Sequence, residues 1–181
     1  MDALGPLHPA LVHTPIALLL FSLIFELVGR ATDLAWWRKA AMAMLVIGAL
    51  GAWAAVFSGN AAEEVAEEQG VPHELIEAHE SGGQLTAWVA TAAVAARALA
   101  GRAGAARAAV AGLALALHVL AAAAVGMTGY RGGVLVHEHG AGVRQNGRPI
   151  PHPGRAADGA RAGEARDGDG AAHGEATGAG H

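Results

Sequence analysis

The chain contains no cysteine at all. That excludes disulfides, thiolate metal sites and cysteine nucleophiles. Aromatic residues are scarce at 4%, and charged residues make up only 15% of the 181 positions. The formal charge of −4 is too small to imply a nucleic-acid partner. No lysine or arginine precedes Arg30, and Asp2 stands near the start, so the first apolar run lacks the basic n-region of a cleaved signal peptide. Nor is there a glycine-rich phosphate loop, a His-Glu-x-x-His zinc motif or a G-x-S-x-G elbow. His73 and His79 lie six apart, the wrong relation for a helical i, i+4 metal pair. No catalytic motif is left, and the chain reads as not an enzyme on its own.

What is abundant is apolar mass, 53% of the chain and mostly Ala, Leu and Val, a bias that favours helices over strands. It falls into four segments: Pro9 to Val28, Ala40 to Ser58, Ser81 to Ala96 and Ala108 to Tyr130. A bilayer core of roughly 30 Å needs about 20 helical residues. The second and fourth segments meet that alone. The third does so if the Glu77–Glu80 turn is counted in and Arg97 snorkels to the surface. A soluble alanine-rich bundle would show charges every turn or two on each helix, and the second and fourth segments show none. The expectation is an all-α, integral membrane four-helix bundle over residues 1–143, with helices at about 9–30, 38–59, 78–99 and 106–129.

The connections predict an orientation. Arg30, Arg38 and Lys39 separate helices one and two, and Arg97, Arg102 and Arg107 separate helices three and four. The stretch "GNAAEEVAEEQGVPHELIEAHE" between helices two and three carries seven glutamates and no Lys or Arg. Short basic loops stay in the cytoplasm, so both termini and the acidic loop are expected outside, with Trp36 and Trp37 in an interfacial belt at the inner surface. His8, His13, His73, His79, His137 and His139 then converge on the outer face, while His118 lies near mid-bilayer with Thr91 as its nearest partner by register.

At the N-terminus, "LHPALVHTPIALLL" raises the question of which proline starts the helix. Pro15 to Arg30 would span only about 24 Å, Pro9 to Arg30 about 33 Å. A helix from Pro9, bent near Pro15, is expected. His8 then caps it and His13 points about 140° away. At the other end Arg30 falls at i+4 from Glu26 and pairs with it. After helix four, "VLVHEH" reads as a short extended piece or hairpin, whose alternation would put His137 and His139 on one face. Residues 144–181 hold no bulky apolar residue after Ile150 and read as a disordered tail, its His152, His173 and His181 solvated.

Imidazoles from separate helices are how bundles build haem, copper and zinc sites. His13 and His79 share one depth and suit a cofactor, haem b or a transition metal, with Gly82 and Gly83 leaving room for a macrocycle and His139 ligating or hydrogen-bonding. The candidate metal ligands are His8, His13, His79, His137 and His139. For His8 the competing role is a structural cap, and for His73 a solvated surface position.

The "HPALVHTPIALLL" start, the Trp-Arg opening of helix two, its "GN" close, a His early in helix three and "TGYRGGVLVHEHGAGV" resemble one bacterial family, the four-helix membrane proteins known as domain of unknown function 2231. The resemblance covers Leu7 to Val143. His8, His13, Gly129, Gly132, Gly133, His139 and Gly140 match the pattern, whereas Thr14 replaces a usual Phe and His137 a usual Tyr. It implies a multi-pass protein of the bacterial inner membrane in an electron-transfer neighbourhood, since some relatives carry cytochrome c or Rieske-type domains. Two functions follow as expectations: a haem- or metal-binding redox module with a membrane or periplasmic redox partner, or a structural, partner-binding subunit without a cofactor. Small-residue surfaces at Gly112–Ala116 and Ala121–Gly126 suit a homo-oligomer in the lipid bilayer.

Overall fold

A computed structural model describes residues 5–145 and 148–149. Four helices carry the fold. The first, α1, runs Gly5–Ala31 and is built from a 3₁₀ turn at Gly5–Leu7, a short piece at His8–Leu11 and a long piece at His13–Ala31. Pro15 has no N–H to return to Leu11, and the ladder is interrupted one residue later, at Val12. Its φ of −63° and ψ of −25° stay helical, so the interruption is a missing bond rather than a sharp bend. The helix begins before the expected Pro9. Buried Gly5 lies so close to α2 that a Cβ would be 2.8 Å from the Ala61 carbonyl oxygen.

The other helices are α2 at Ala35–Glu68, α3 at His73–Ala100 and α4 at Arg107–His137. Each exceeds its expected span. Most of the stretch read as an acidic loop is helical, Gly59–Glu68 closing α2 and His73–Glu80 opening α3, because Ala and Glu are strong helix formers and Ala66 packs on the small cluster Val71, Ile76 and Leu135. The true connection is Gln69 to Pro72, turned by Gly70 at φ 83°. "VLVHEH" is also corrected: Val134 to His137 are the last turn of α4, and Leu135 is buried in that same cluster. Burial at helical spacing overrode the alternating pattern. The hairpin comes later, with β1 (Arg144–Gln145) antiparallel to β2 (Arg148–Pro149). Gln69, 2% exposed, holds the turn before it: Nε2 donates to the Val143 carbonyl at 3.0 Å and Oε1 accepts from the Gly142 amide at 2.8 Å. Beyond this hairpin, the tail expected to be disordered lies outside the described residues.

The helices run up and down in a closed ring, α1 against α2 and α4, and α3 against α2 and α4. Leu19, Leu45, Ala49, Ala90, Ala93, Ala121 and Val125 form the central cluster. Alanine facing alanine lets α3 and α4 approach closely. The outside is the reverse of a soluble bundle: Phe21, Ile24, Leu50, Phe57, Trp88, Leu113 and Met127 are all more than half exposed. Ser22, Glu26, Thr86 and His118 are buried inside. Such an exterior matches hydrocarbon, and backbone groups satisfied within helices suit it. Three helices, α1, α2 and α4, are long and apolar enough to cross a membrane. The third, α3, falls outside that set because its apolar stretch is short and diluted by Gln84, Thr86 and Thr91, with Glu80 and Arg97 flanking it, yet it lies antiparallel along α4 from Thr86–Thr128 down to the Ala93–Ala121 level.

Candidate functional site

The polar side chains gather in three places: an imidazole pair toward the acidic end, a buried bond in the middle, and an arginine cluster at the basic end.

His8 is the first residue of its helical piece, but no side-chain cap bond forms there and the N-cap position belongs to Leu7. The capping role is thereby replaced. His8 Nδ1 instead meets Ser58 Oγ of α2 at 2.9 Å, and that hydroxyl donates its proton to the Ala55 carbonyl at 3.0 Å. With its only proton spent, Ser58 Oγ accepts from His8, so Nδ1 carries the hydrogen and Nε2 a lone pair. On α3, His79 Nδ1 donates to the Thr128 carbonyl of α4 at 3.1 Å. A carbonyl only accepts, so His79 has the same tautomer and a bare Nε2. The two half-buried rings stand 6.3 Å apart between centroids, nearly perpendicular at 85°. Glycines make the room. A Cβ on Gly59 would lie 3.2 Å from His8 Cε1, and one on Gly132 only 2.8 Å from His79 Cε1.

The partner of His79 across the bundle is therefore His8 rather than His13. His13 is exposed, and its Nδ1 bonds the Pro9 carbonyl one turn back at 2.7 Å. The reason is the angular offset between the two on α1, of which only one face meets the bundle. Gly82 leaves no slot for a macrocycle, because Thr128 Oγ1 would lie 2.7 Å from a Cβ there. His137 is exposed in the last turn of α4 and His139 half-buried beyond it, so strand alternation does not join them. His73 is solvent-exposed as expected. Its Nδ1 pairs with Glu67 at 2.9 Å, and that hydrogen bond raises its pKa above the usual 6.5. Half-buried Glu63 completes this cluster, its oxygen within 4.8 Å of the other two ligand atoms.

In the middle, His118 Nε2 meets Ser22 Oγ of α1, whose hydroxyl donates to the Leu19 carbonyl at 2.8 Å. His118 is therefore protonated on Nε2. Thr91, the partner expected from register, is engaged elsewhere: it accepts from Trp53 Nε1 at 3.1 Å and donates to Ala87 O at 2.8 Å. Ser22 was the visible signal, a hydroxyl deep in the apolar run and one turn from Glu26.

At the basic end Glu26, 3% exposed, receives Arg30 Nε at 2.8 Å, the pair read from the i, i+4 spacing. Its other oxygen pairs with Arg97 of α3. Arg97 does not snorkel outward: its side chain is 17% exposed and Nη2 donates to the Arg38 carbonyl at 2.7 Å. A buried carboxylate holds it inward. Trp36 and Trp37 stack at 4.0 Å, with Trp37 edge-on to Phe25.

Residues 4–145 match the family described as predicted membrane protein, domain of unknown function 2231, and the chain belongs to that family. No curated protein and no solved structure matches it.

Proposed function

We propose that this membrane protein binds one transition-metal ion between His8 and His79, as a module that serves a redox partner at the outer membrane surface. The carrying observation is the matched tautomer state. Each imidazole has Nδ1–H anchored on an oxygen and Nε2 bare, the arrangement that orients histidine ligands at metal centres. Two imidazoles ligating one ion in line through Nε2 have centroids about 6 Å apart at ordinary metal–nitrogen distances, and the pair here stands at 6.3 Å. With nitrogen donors and no thiolate, copper and zinc are the fitting ions. A haem fits less well, because Thr128 occupies the space beside Gly82 and the rings are seated directly on Gly59 and Gly132. His13, His137 and His139 remain candidates for completing the shell from the solvent side.

The charge distribution supports the orientation. Arg30, Arg38, Lys39, Arg97, Arg102 and Arg107 cluster at one end, and the glutamates of α2 and α3 at the other. By the positive-inside rule the imidazole pair faces the periplasm of a bacterial inner membrane, with both termini on that side. A second reading is a structural subunit. It is favoured by the same bonds, since His8–Ser58 ties α1 to α2 and His79–Thr128 ties α3 to α4.

Titration of the purified full chain with copper(I) and with zinc against a competing chelator separates the two. Metal binding expects one ion per chain, lost in His8→Ala and in His79→Ala and kept in His13→Ala. A split b-type Soret band after growth with added haem would replace the ion by haem. A preparation that binds neither leaves the structural reading.

A further inference from the structure

At the basic end, a cavity of about 630 Å³ opens between α1, α3 and α4. Arg30, Arg38, Arg97 and Arg107 line it, together with Glu26 and Asp33. Four guanidinium groups stand against two carboxylates, which leaves two positive charges uncompensated. The carboxylates do not share them evenly. Glu26 is committed deep in the wall to Arg97 and to Arg30 Nε. Asp33 takes one nitrogen of Arg38 at 3.0 Å, but its side chain is 94% exposed, so water screens that charge. Arg30 therefore keeps both terminal nitrogens free of Glu26. Among the described residues the Arg107 side chain makes no hydrogen bond or ion pair. Arg107 is also the first residue of α4, whose N-cap Ala106 supplies no side-chain acceptor. The 3₁₀ turn Gly104–Ala106 leads directly into the helix and the Arg107 N–H donates to the Gly104 carbonyl, so what this rim offers an anion is the guanidinium group and the positive end of the helix dipole.

We infer that this cavity holds a phosphate group. Planar guanidinium pairs recognise phosphate oxygens through two parallel bonds, and the positive end of the α4 dipole adds to the field. Here the Arg107 guanidinium and the terminal nitrogens of Arg30, which binds Glu26 through Nε, line one cavity without a carboxylate hydrogen-bonded to them. Depth points to where the phosphate comes from. The stacked Trp36–Trp37 pair, with Trp36 54% exposed, precedes Arg38 directly in the chain and marks the headgroup level of a bilayer. At that level the abundant phosphates are those of anionic phospholipids. Free phosphate has the same chemistry and enters from the aqueous side.

The test uses the full chain in detergent, by native mass spectrometry with phosphatidylglycerol and with phosphatidylcholine, and by a thermal-shift titration with inorganic phosphate. Retention of phosphatidylglycerol at least about tenfold above phosphatidylcholine is expected. It should fall about tenfold in Arg107→Gln and in Arg30→Gln, the loss of one charged contact. Asp33→Asn should act in the opposite direction, strengthening retention by removing a competing acid. Asn tolerates the left-handed backbone that Asp33 adopts at φ 52°. Stabilisation by inorganic phosphate that vanishes in Arg107→Gln would keep the phosphate site and assign it to the free anion. Equal retention of both lipids with no response to phosphate overturns the inference, as does binding that neither arginine variant alters. Because Arg107 has no partner to lose, its variant should elute and melt as the wild type does.

Discussion

Ser22 of α1 and His118 of α4 meet at 2.7 Å in the middle of the bundle, both essentially inaccessible. Their bond is the one direct side-chain hydrogen bond joining α1 to α4 among the described residues. Interhelical hydrogen bonds in membranes average about 0.6 kcal/mol and reach about 1.7 kcal/mol. A double-mutant cycle of Ser22→Ala and His118→Ala, read by unfolding in mixed micelles, should give a coupling in that range. His118→Ala alone should cost more, about 2–4 kcal/mol, because it also empties a buried volume. Additive losses would show that the bond contributes nothing.

The Glu26–Arg97 pair should behave differently. Replacing Glu26 by Gln leaves the guanidinium of Arg97 in a mostly dry wall, and removing one partner of such a pair costs about 3–5 kcal/mol. The double variant Glu26→Gln with Arg97→Gln should recover part of that loss. A double variant worse than either single would overturn this account.

Glycine positions offer a matched comparison on one helix. Gly132→Ala puts a methyl 2.8 Å from His79 Cε1, whereas Gly126 has nothing within 4 Å. The first change should lower the melting temperature and displace the His79 ring, so any metal bound there should be lost. The second should be neutral or stabilising, by up to about 1 kcal/mol, since alanine favours helix over glycine.

His73 gives a pH prediction. The Glu67 hydrogen bond raises its pKa in the folded chain above 6.5. Folding therefore favours the protonated ring. That contribution is complete below the unfolded pKa and is lost as pH rises through the raised folded value. The pair is exposed, so the readout is the ring proton shift in NMR rather than a melting temperature. Its midpoint should lie above 6.5 and move back toward 6.5 in Glu67→Gln.

Orientation is tested by reporters active only in the cytoplasm. Fusion after Arg102 should give signal, and fusion after Glu68 should not. The opposite pattern would place the imidazole pair on the cytoplasmic side.

The helices were legible because uncharged runs of bilayer length have few other uses, and the Glu26–Arg30 pair because its spacing is local. What the sequence hid depended on the third dimension. The reach of Arg97 to Glu26 crosses the ring diagonally from α3 to α1, and no local spacing encodes it. His8 rather than His13 faces His79 because the two lie about 140° apart on α1 and only one face of that helix meets the bundle. The alternation of "VLVHEH" read as an extended piece, yet it continues the helix in which Gly132 makes way for an imidazole. Ala66, Glu67 and Glu68 were read as loop by their charge, although their helix propensity pointed the other way.

The length of α2 has a mechanical consequence. Its 34 residues make a rod of about 51 Å at 1.5 Å per residue, roughly 20 Å longer than a hydrocarbon core. Ala41 and Leu45, deep in the bundle, and Glu63 and Glu67, at the acidic tip, thus belong to one rigid shaft. Its tip has no rotational freedom of its own: a single residue inserted after Phe57 would turn Glu67 by about 100°. The carboxylate would swing away from His73 while the lipid-facing half stayed in register.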